Sequence, residues 1–210
     1  MIPFFSYIKN PISPEGFQRI GWKHFFLMIL IYLALALPLG LIGYITLKLT
    51  GVTRIPLEFS LYQKLFFVIL LGPLSEELQL RLLLVFNRRN VVVFVSTCAA
   101  LAIIFFFKHK SKYLIYAILV AISSIVYLYH HQFNGYVSKH YKLFFFFFAV
   151  LFGLLHIMNF TGITVHNFIF MPLLVLPQIL LGLILGYIRV IYGFGYGLLF
   201  HSMVNTSIFL

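Results

Sequence analysis

Residues 65–86, LFFVILLGPLSEELQLRLLLVF, are apolar along almost their whole length yet carry Glu76, Glu77 and Arg81. The stretch is as long as a bilayer-spanning helix, which needs about 20 apolar residues. An ionisable group held at membrane depth is costly unless it has a partner or a task. The chain has four Asp+Glu in all, none of them Asp, so Glu76 and Glu77 are half of its acid. The chemistry is therefore expected at this pair.

Working outward, composition gives the class. Hydrophobic residues make up 62% of the 210 and charged residues 9%, and mean hydropathy is +1.05. An ordinary soluble domain is about 45–50% apolar and about 25% charged. Apolar runs at about 24–47, 62–86, 91–107, 113–129, 141–159, 170–192 and 194–210 read as spans. The expected fold is all-α, a polytopic membrane protein of six to eight transmembrane helices enclosing an intramembrane catalytic cavity. Residues 1–23 are expected to form an interfacial N-terminal arm and residues 24–210 the membrane-embedded domain. The opening MIPFFSYIKN lacks a basic region followed by an apolar run and a small-residue cleavage site, which argues against a cleavable signal.

The net charge is +11. Its basic residues, among them Lys48, Arg54, Arg88, Arg89, Lys108 and Lys142, are scattered through short loops. Anionic lipid headgroups account for them better than nucleic acid does. The single Cys98 excludes an internal disulfide and reads as a packing residue.

Within the segment quoted above, Gly72-Pro73 is expected to break a helix and Ser75 to cap a new one beginning at Glu76. Both carboxylates would then lie in a first turn, where the helix dipole favours their ionised form. Glu77 and Arg81 are four residues apart, a spacing that suits an ion pair. Glu76 is turned about 100° away on the helix and is the freer acid. The alternative is a capped helix start at the interface with both acids solvated. Further on, Phe152 and His156 stack at i and i+4, with Gly153 allowing a neighbouring helix to come close. His201 and Asn205 share a face after a run of glycines at 193, 195 and 197. Buried polar groups in an apolar helix must find protein partners, and Glu76, Glu77 and His156 are available.

A carboxylate with two imidazoles is enough to activate water and enough to hold a metal. The order Glu76-Glu77-x-x-x-Arg81, Phe152-x-x-x-His156, His201-x-x-x-Asn205 resembles the three signature motifs of the CPBP intramembrane proteases. That family is also called Abi or CAAX-protease-like. Pro177-Gln178, Gly182, Gly186-Tyr187 and Gly195 add to the resemblance, which covers roughly residues 62–208. It implies peptide-bond hydrolysis near the bilayer, on a peptide or lipidated-protein substrate, in peptide maturation or bacteriocin self-immunity. By that resemblance Glu76 and His156 polarise a water, while His201 and Asn205 stabilise the oxyanion. Glu77, Arg81 and Phe152 support them.

A divalent metal such as zinc, if used, would be held by Glu76, Glu77, His156 and His201. HExxH is absent, and a metal-free water activated by glutamate needs the same residues. His130, His131 and His140 read as an interfacial loop, as does His109. His166 and Asn167 stand between two helices, where a place at the cavity mouth is conceivable. Two other classes compete: a non-catalytic membrane immunity or scaffold protein binding a peptide or sensor partner, and a small transporter relaying protons. The chain shows no inverted repeat to favour the transporter. Composition and size suit a bacterial cell membrane.

Overall fold

The computed structural model of the chain describes residues 3–56, 58–108 and 111–207; His109, Lys110 and the last three residues of the 194–210 run lie outside them. It is helical almost throughout. A short helix, α1 (Phe4–Lys9), precedes the 29-residue α2 (Trp22–Thr50), which ends at Gly51 with a left-handed φ of 69°. Strand β1 (Thr53–Arg54) pairs antiparallel with β2 (Phe160–Thr161), Arg54 opposite Phe160. Then come α3 (Leu61–Gln63), a π-helical stretch (Lys64–Leu71) and α4 (Gly72–Leu80). After a 3-10 turn at Leu82–Leu84, α5 (Arg88–Phe107) and α6 (Lys112–Leu128) form a hairpin. Next are α7 (His130–Lys139), α8 (Tyr141–Leu155), α9 (Met171–Leu174), α10 (Leu176–Ile191) and α11 (Phe194–Ser207).

Among the described residues three helices are long and apolar enough to cross a membrane: Trp22–Thr50, Arg88–Phe107 and Tyr141–Asn159. The number is five if two bent pairs, α6 with α7 and the segment Phe168–Leu174 with α10, each count as one span. The outer faces suit that reading, since Leu37, Leu49, Ile104 and Leu128 stand exposed, whereas a soluble monomer rarely shows contiguous apolar surface beyond a few hundred Å².

Helix α10 is the centre of the molecule. Its last eleven residues are buried except Leu183, and it packs on α8, α2 and α11. Glycines bring α8 and α10 together. A Cβ at Gly182 would lie 2.5 Å from the Ala149 carbonyl oxygen, and one at Gly153 would collide with Ile179. The N-terminal segment docks on the same core: Phe4 and Tyr7 are buried against Tyr187 and Phe145, and Gln18 N–H donates to the Ile191 carbonyl.

Two local expectations are corrected. Gly72-Pro73 does not stop the helix, and Ser75 caps nothing: its hydroxyl accepts from the side chain of Gln79. The chain instead widens into π turns ahead of the proline, with the Gly72 N–H bonded to Phe67 O, five residues back. Widening absorbs a residue that has no N–H to give. Glu76 and Glu77 consequently sit late in one helical run rather than in a first turn, away from a helix N-terminus. The stretch holding His130 and His131 is helix α7, turned 95° from α6, with His130 stacked on Phe86, and not a loop.

Candidate active site

The residues singled out above come from three separate parts of the chain. Glu76, Glu77 and Arg81 are carried by α4 and its end, Phe152 and His156 by the end of α8, His201 and Asn205 by α11. The structure brings Glu76, His156, His201 and Asn205 onto the wall of one cavity of ≈ 490 Å³. Glu76 and His156 also share a smaller recess of ≈ 120 Å³ with Phe152 and Asn159. At roughly 30 Å³ of liquid volume per molecule, that recess has room for a few waters.

The two acids differ in surroundings. Glu77 is fully buried, and its Oε1 lies 3.1 Å from His201 Nδ1. Glu76 keeps 35% of its side chain exposed, and its Oε2 lies 3.5 Å from His201 Nε2. The His201 ring is thus clamped between the two carboxylates. Gly197 leaves room for this, because a Cβ there would stand 3.3 Å from Glu77 Oε2.

His156 Nδ1 donates to the Phe152 carbonyl oxygen at 2.8 Å. A carbonyl can only accept, so the hydrogen bond fixes the tautomer and leaves Nε2 as the free ring nitrogen. The His156 ring packs on Phe152 at 4.8 Å between centroids, and His201 meets the same phenyl edge-on at 5.6 Å.

Arg81 departs from expectation. It is the residue that closes α4, with φ at −115°, so the helical face that would bring it to Glu77 has already ended. Its guanidinium lies 4.3 Å above the Phe152 ring, fully buried, and none of its three nitrogens has a hydrogen-bond partner among the described residues. No ion pair joins it to Glu77 among the described residues. It feels both acids through space instead. The carbonyl of Arg81 is held by Arg189 Nε at 3.3 Å.

Asn205 has a partner that the sequence did not suggest. Its Nδ2 donates to the Val68 carbonyl oxygen at 2.9 Å. Val68 lies in the π stretch: Gly72 N–H is spent on Phe67 O, and Pro73 has no N–H, so the Val68 carbonyl loses both of its helical donors. One amide hydrogen of Asn205 makes good that loss, and the other is left for a ligand.

Tyr32, Arg54, Asn159 and Gln178 also line the cavity. Nothing in their local sequence marks Tyr32 or Arg54 for this place. Gln178 stands directly after Pro177 in a stretch already noted, and its buried Oε1 has no partner. His166 and Asn167 do not line it; Asn167 closes its own loop by bonding Thr164 N and Gly162 O.

The sequence leaves a metal open, to be held, if one is used, by Glu76, Glu77, His156 and His201. Among the described residues no three His, Cys, Asp or Glu side chains gather closely enough to hold an ion. Both nitrogens of His201 face carboxylates, and one nitrogen of His156 is taken by a carbonyl. These donors are committed to one another and to the Phe152 carbonyl. The chain matches no family model, no curated protein and no solved structure.

Proposed function

We propose that this chain is an intramembrane endopeptidase of the CPBP type, hydrolysing a peptide or lipidated-protein bond near the bilayer. The observation that carries the reading is the convergence of Glu76, His156, His201 and Asn205, from three distant segments, on one cavity. In this reading the chain crosses a bacterial cell membrane about seven times, within the six to eight expected. The spans are three long helices, two bent pairs, the helical run 61–80 and α11.

A water in the recess loses a proton to Glu76 as its oxygen bonds to the scissile carbonyl carbon, with His156 Nε2 holding its second hydrogen. The carbonyl becomes an oxyanion, which the free amide hydrogen of Asn205 stabilises. Glu76 then passes its proton to the leaving nitrogen, the C–N bond breaks, and a carboxylic acid and an amine result. His201, clamped between the acids, orients Glu76. Glu77 holds His201 and offsets the buried charge of Arg81.

The test compares detergent-purified wild type with Glu76→Gln on a pool of short hydrophobic and lipidated peptides, products being identified by mass spectrometry. Cleavage by wild type that disappears in the variant supports the reading. Equal cleavage by both would overturn the site, and no cleavage by a folded wild type would favour the non-catalytic immunity or scaffold alternative. Cleavage is expected to survive exhaustive chelation; activity lost to chelator and restored by zinc would overturn the metal-free mechanism.

A further inference from the structure

Among the described residues five tyrosines are buried: Tyr7, Tyr32, Tyr141, Tyr187 and Tyr192. Four of them spend their hydroxyls inside the protein. Tyr7 donates to the Ile12 carbonyl and Tyr141 to the Leu84 carbonyl, while the hydroxyls of Tyr187 and Tyr192 meet at 3.2 Å. Tyr32 is the exception. No group among the described residues bonds its hydroxyl, and the residue lines the cavity that holds Glu76. A buried tyrosine ordinarily finds a partner for its O–H, so the partner of this one must come from the cavity.

The ring is fixed by its helix. Phe25, Met28 and Tyr32 recur at three- and four-residue spacing on the buried face of α2, which packs on α10 and α11. His24 lies against Tyr192 and Gly43 beside Leu174, so α2 runs opposite to α10. Only Tyr192 and Gly193 join α10 to α11, and these two also run in opposite directions. It follows that α2 and α11 run the same way. Phe25 meets Phe200 edge-on at 5.7 Å. Counted from that contact, Tyr32 stands seven residues on along α2 and Asn205 five residues on along α11, or about 10 Å and about 8 Å at about 1.5 Å per residue. The phenol and the amide arrive at nearly the same depth on one cavity wall.

Asn205 has a single amide hydrogen left after serving the Val68 carbonyl. Glu76 and His156 are engaged with the water in the proposed step, and both ring nitrogens of His201 face carboxylates. An oxyanion is best held by more than one preorganised donor, and a tyrosine hydroxyl is among the groups that serve. We propose that Tyr32 is a catalytic residue whose hydroxyl gives the second hydrogen bond to the oxyanion, beside that of Asn205. This rests on the peptidase reading and is measured separately from it.

The probe is a fluorescein-labelled hydrophobic octapeptide in two forms, one with an ordinary central amide and one with a phosphinate in its place, a stable tetrahedral anion. Binding is read by anisotropy in phosphatidylcholine mixed micelles with chelator present, on the full chain carrying Glu76→Gln, with and without Tyr32→Phe. The phosphinate is expected to bind tighter than the amide. Tyr32→Phe should cut that preference about 10–100-fold, the range for a hydrogen bond to a charged group, and leave amide binding as it was. Its thermal unfolding should match that of the parent, because the lost hydroxyl bonds nothing in the protein; Tyr141→Phe, which loses the Leu84 carbonyl, should unfold earlier. A preference that survives Tyr32→Phe, an equal weakening of both peptides, or a lowered unfolding temperature overturns the proposal. The amide peptide given to proteins that retain Glu76 separates the two readings. Tyr32→Phe is expected to lower kcat about 10²–10³-fold, as loss of one oxyanion donor does, with KM nearly unchanged. Cleavage at the wild-type rate removes Tyr32 and retains the peptidase. A Tyr32-dependent phosphinate preference without cleavage by wild type retains the anion donor and removes the peptidase, and the absence of both overturns both.

Discussion

Phe152 is the side chain on which the site leans. Arg81 lies on one face of its ring, and His156 and His201 meet it at 4.8 and 5.6 Å. A desolvated cation–π contact contributes about 2 kcal/mol, and here it steadies a guanidinium that has no hydrogen-bond partner. Phe152→Leu, which keeps apolar bulk but removes the ring face, is expected to lower the unfolding temperature and cut cleavage more than about tenfold, one factor of ten being ~1.4 kcal/mol of barrier. Wild-type values for both would show that other groups hold the imidazoles. The two glutamates should separate in the same assay. Glu76→Gln removes cleavage and leaves stability almost unchanged, because Glu76 faces the cavity. Glu77→Gln removes the buried carboxylate that pairs with His201 at 3.1 Å and lies near the buried Arg81, and breaking a buried pair costs about 3–5 kcal/mol. Its unfolding temperature should fall well below that of Glu76→Gln; equal stabilities would refute the structural role of Glu77.

At the scale of elements, the unusual feature is the π stretch Lys64–Leu71 and its link to α11. Pro73 leaves the Val68 carbonyl without a helical donor, and Asn205 supplies one from 137 residues away. A double-mutant cycle tests this. Asn205→Ala alone should cost about 1–3 kcal/mol, the penalty of an orphaned buried carbonyl. In a Pro73→Ala background the helix has an N–H to offer, and the same change should cost clearly less. Equal costs in both backgrounds would mean that the proline and the asparagine are not coupled. Gly182→Ala belongs to this scale as well: its Cβ would press on the Ala149 carbonyl, and overpacking of about 1–3 kcal/mol should lower the unfolding temperature without touching the cavity. This scale also separates what the sequence told from what it withheld. The α-helical class and the acids of residues 65–86 were legible, because charge in an apolar run is a local signal, and so was the i, i+4 stacking of Phe152 on His156. The π widening was not, since Gly-Pro ordinarily ends a helix. Arg81 was misjudged because spacing alone cannot tell that α4 stops at Leu80. Arg54 was hidden for a different reason: its place depends on pairing with Phe160, a contact with no trace in either local stretch.

For the whole molecule, the contacts between loops bear on how often the chain crosses. If α2, the run 61–80, α5, the α6–α7 pair, α8, the bent segment ending in α10, and α11 are each one crossing, the loops fall on two sides. Residues 3–21, 81–87, the α7 end of its bent pair through residue 140, and 192–193 share one side; residues 51–56, 58–60, 108, 111 and 156–167 share the other. The contacts respect that division. Lys142 reaches the Lys9 carbonyl and Gln18 the Ile191 carbonyl; Tyr141 binds the Leu84 carbonyl and His130 stacks on Phe86. On the other side, Thr53 pairs with Thr161. A count that gained or lost one crossing between these segments would ask a loop to bond with another through the membrane, where no water satisfies exposed backbone. Single cysteines introduced in a Cys98→Ser background test the assignment by alkylation of intact cells with an impermeant maleimide. Glu15→Cys, Arg88→Cys and Ser138→Cys should behave alike, and Glu58→Cys, Ser111→Cys and Thr164→Cys should behave oppositely. The second group lies on the side of the β1–β2 pair, whose Arg54 lines the cavity. A mixed pattern within either group would break the seven-crossing count.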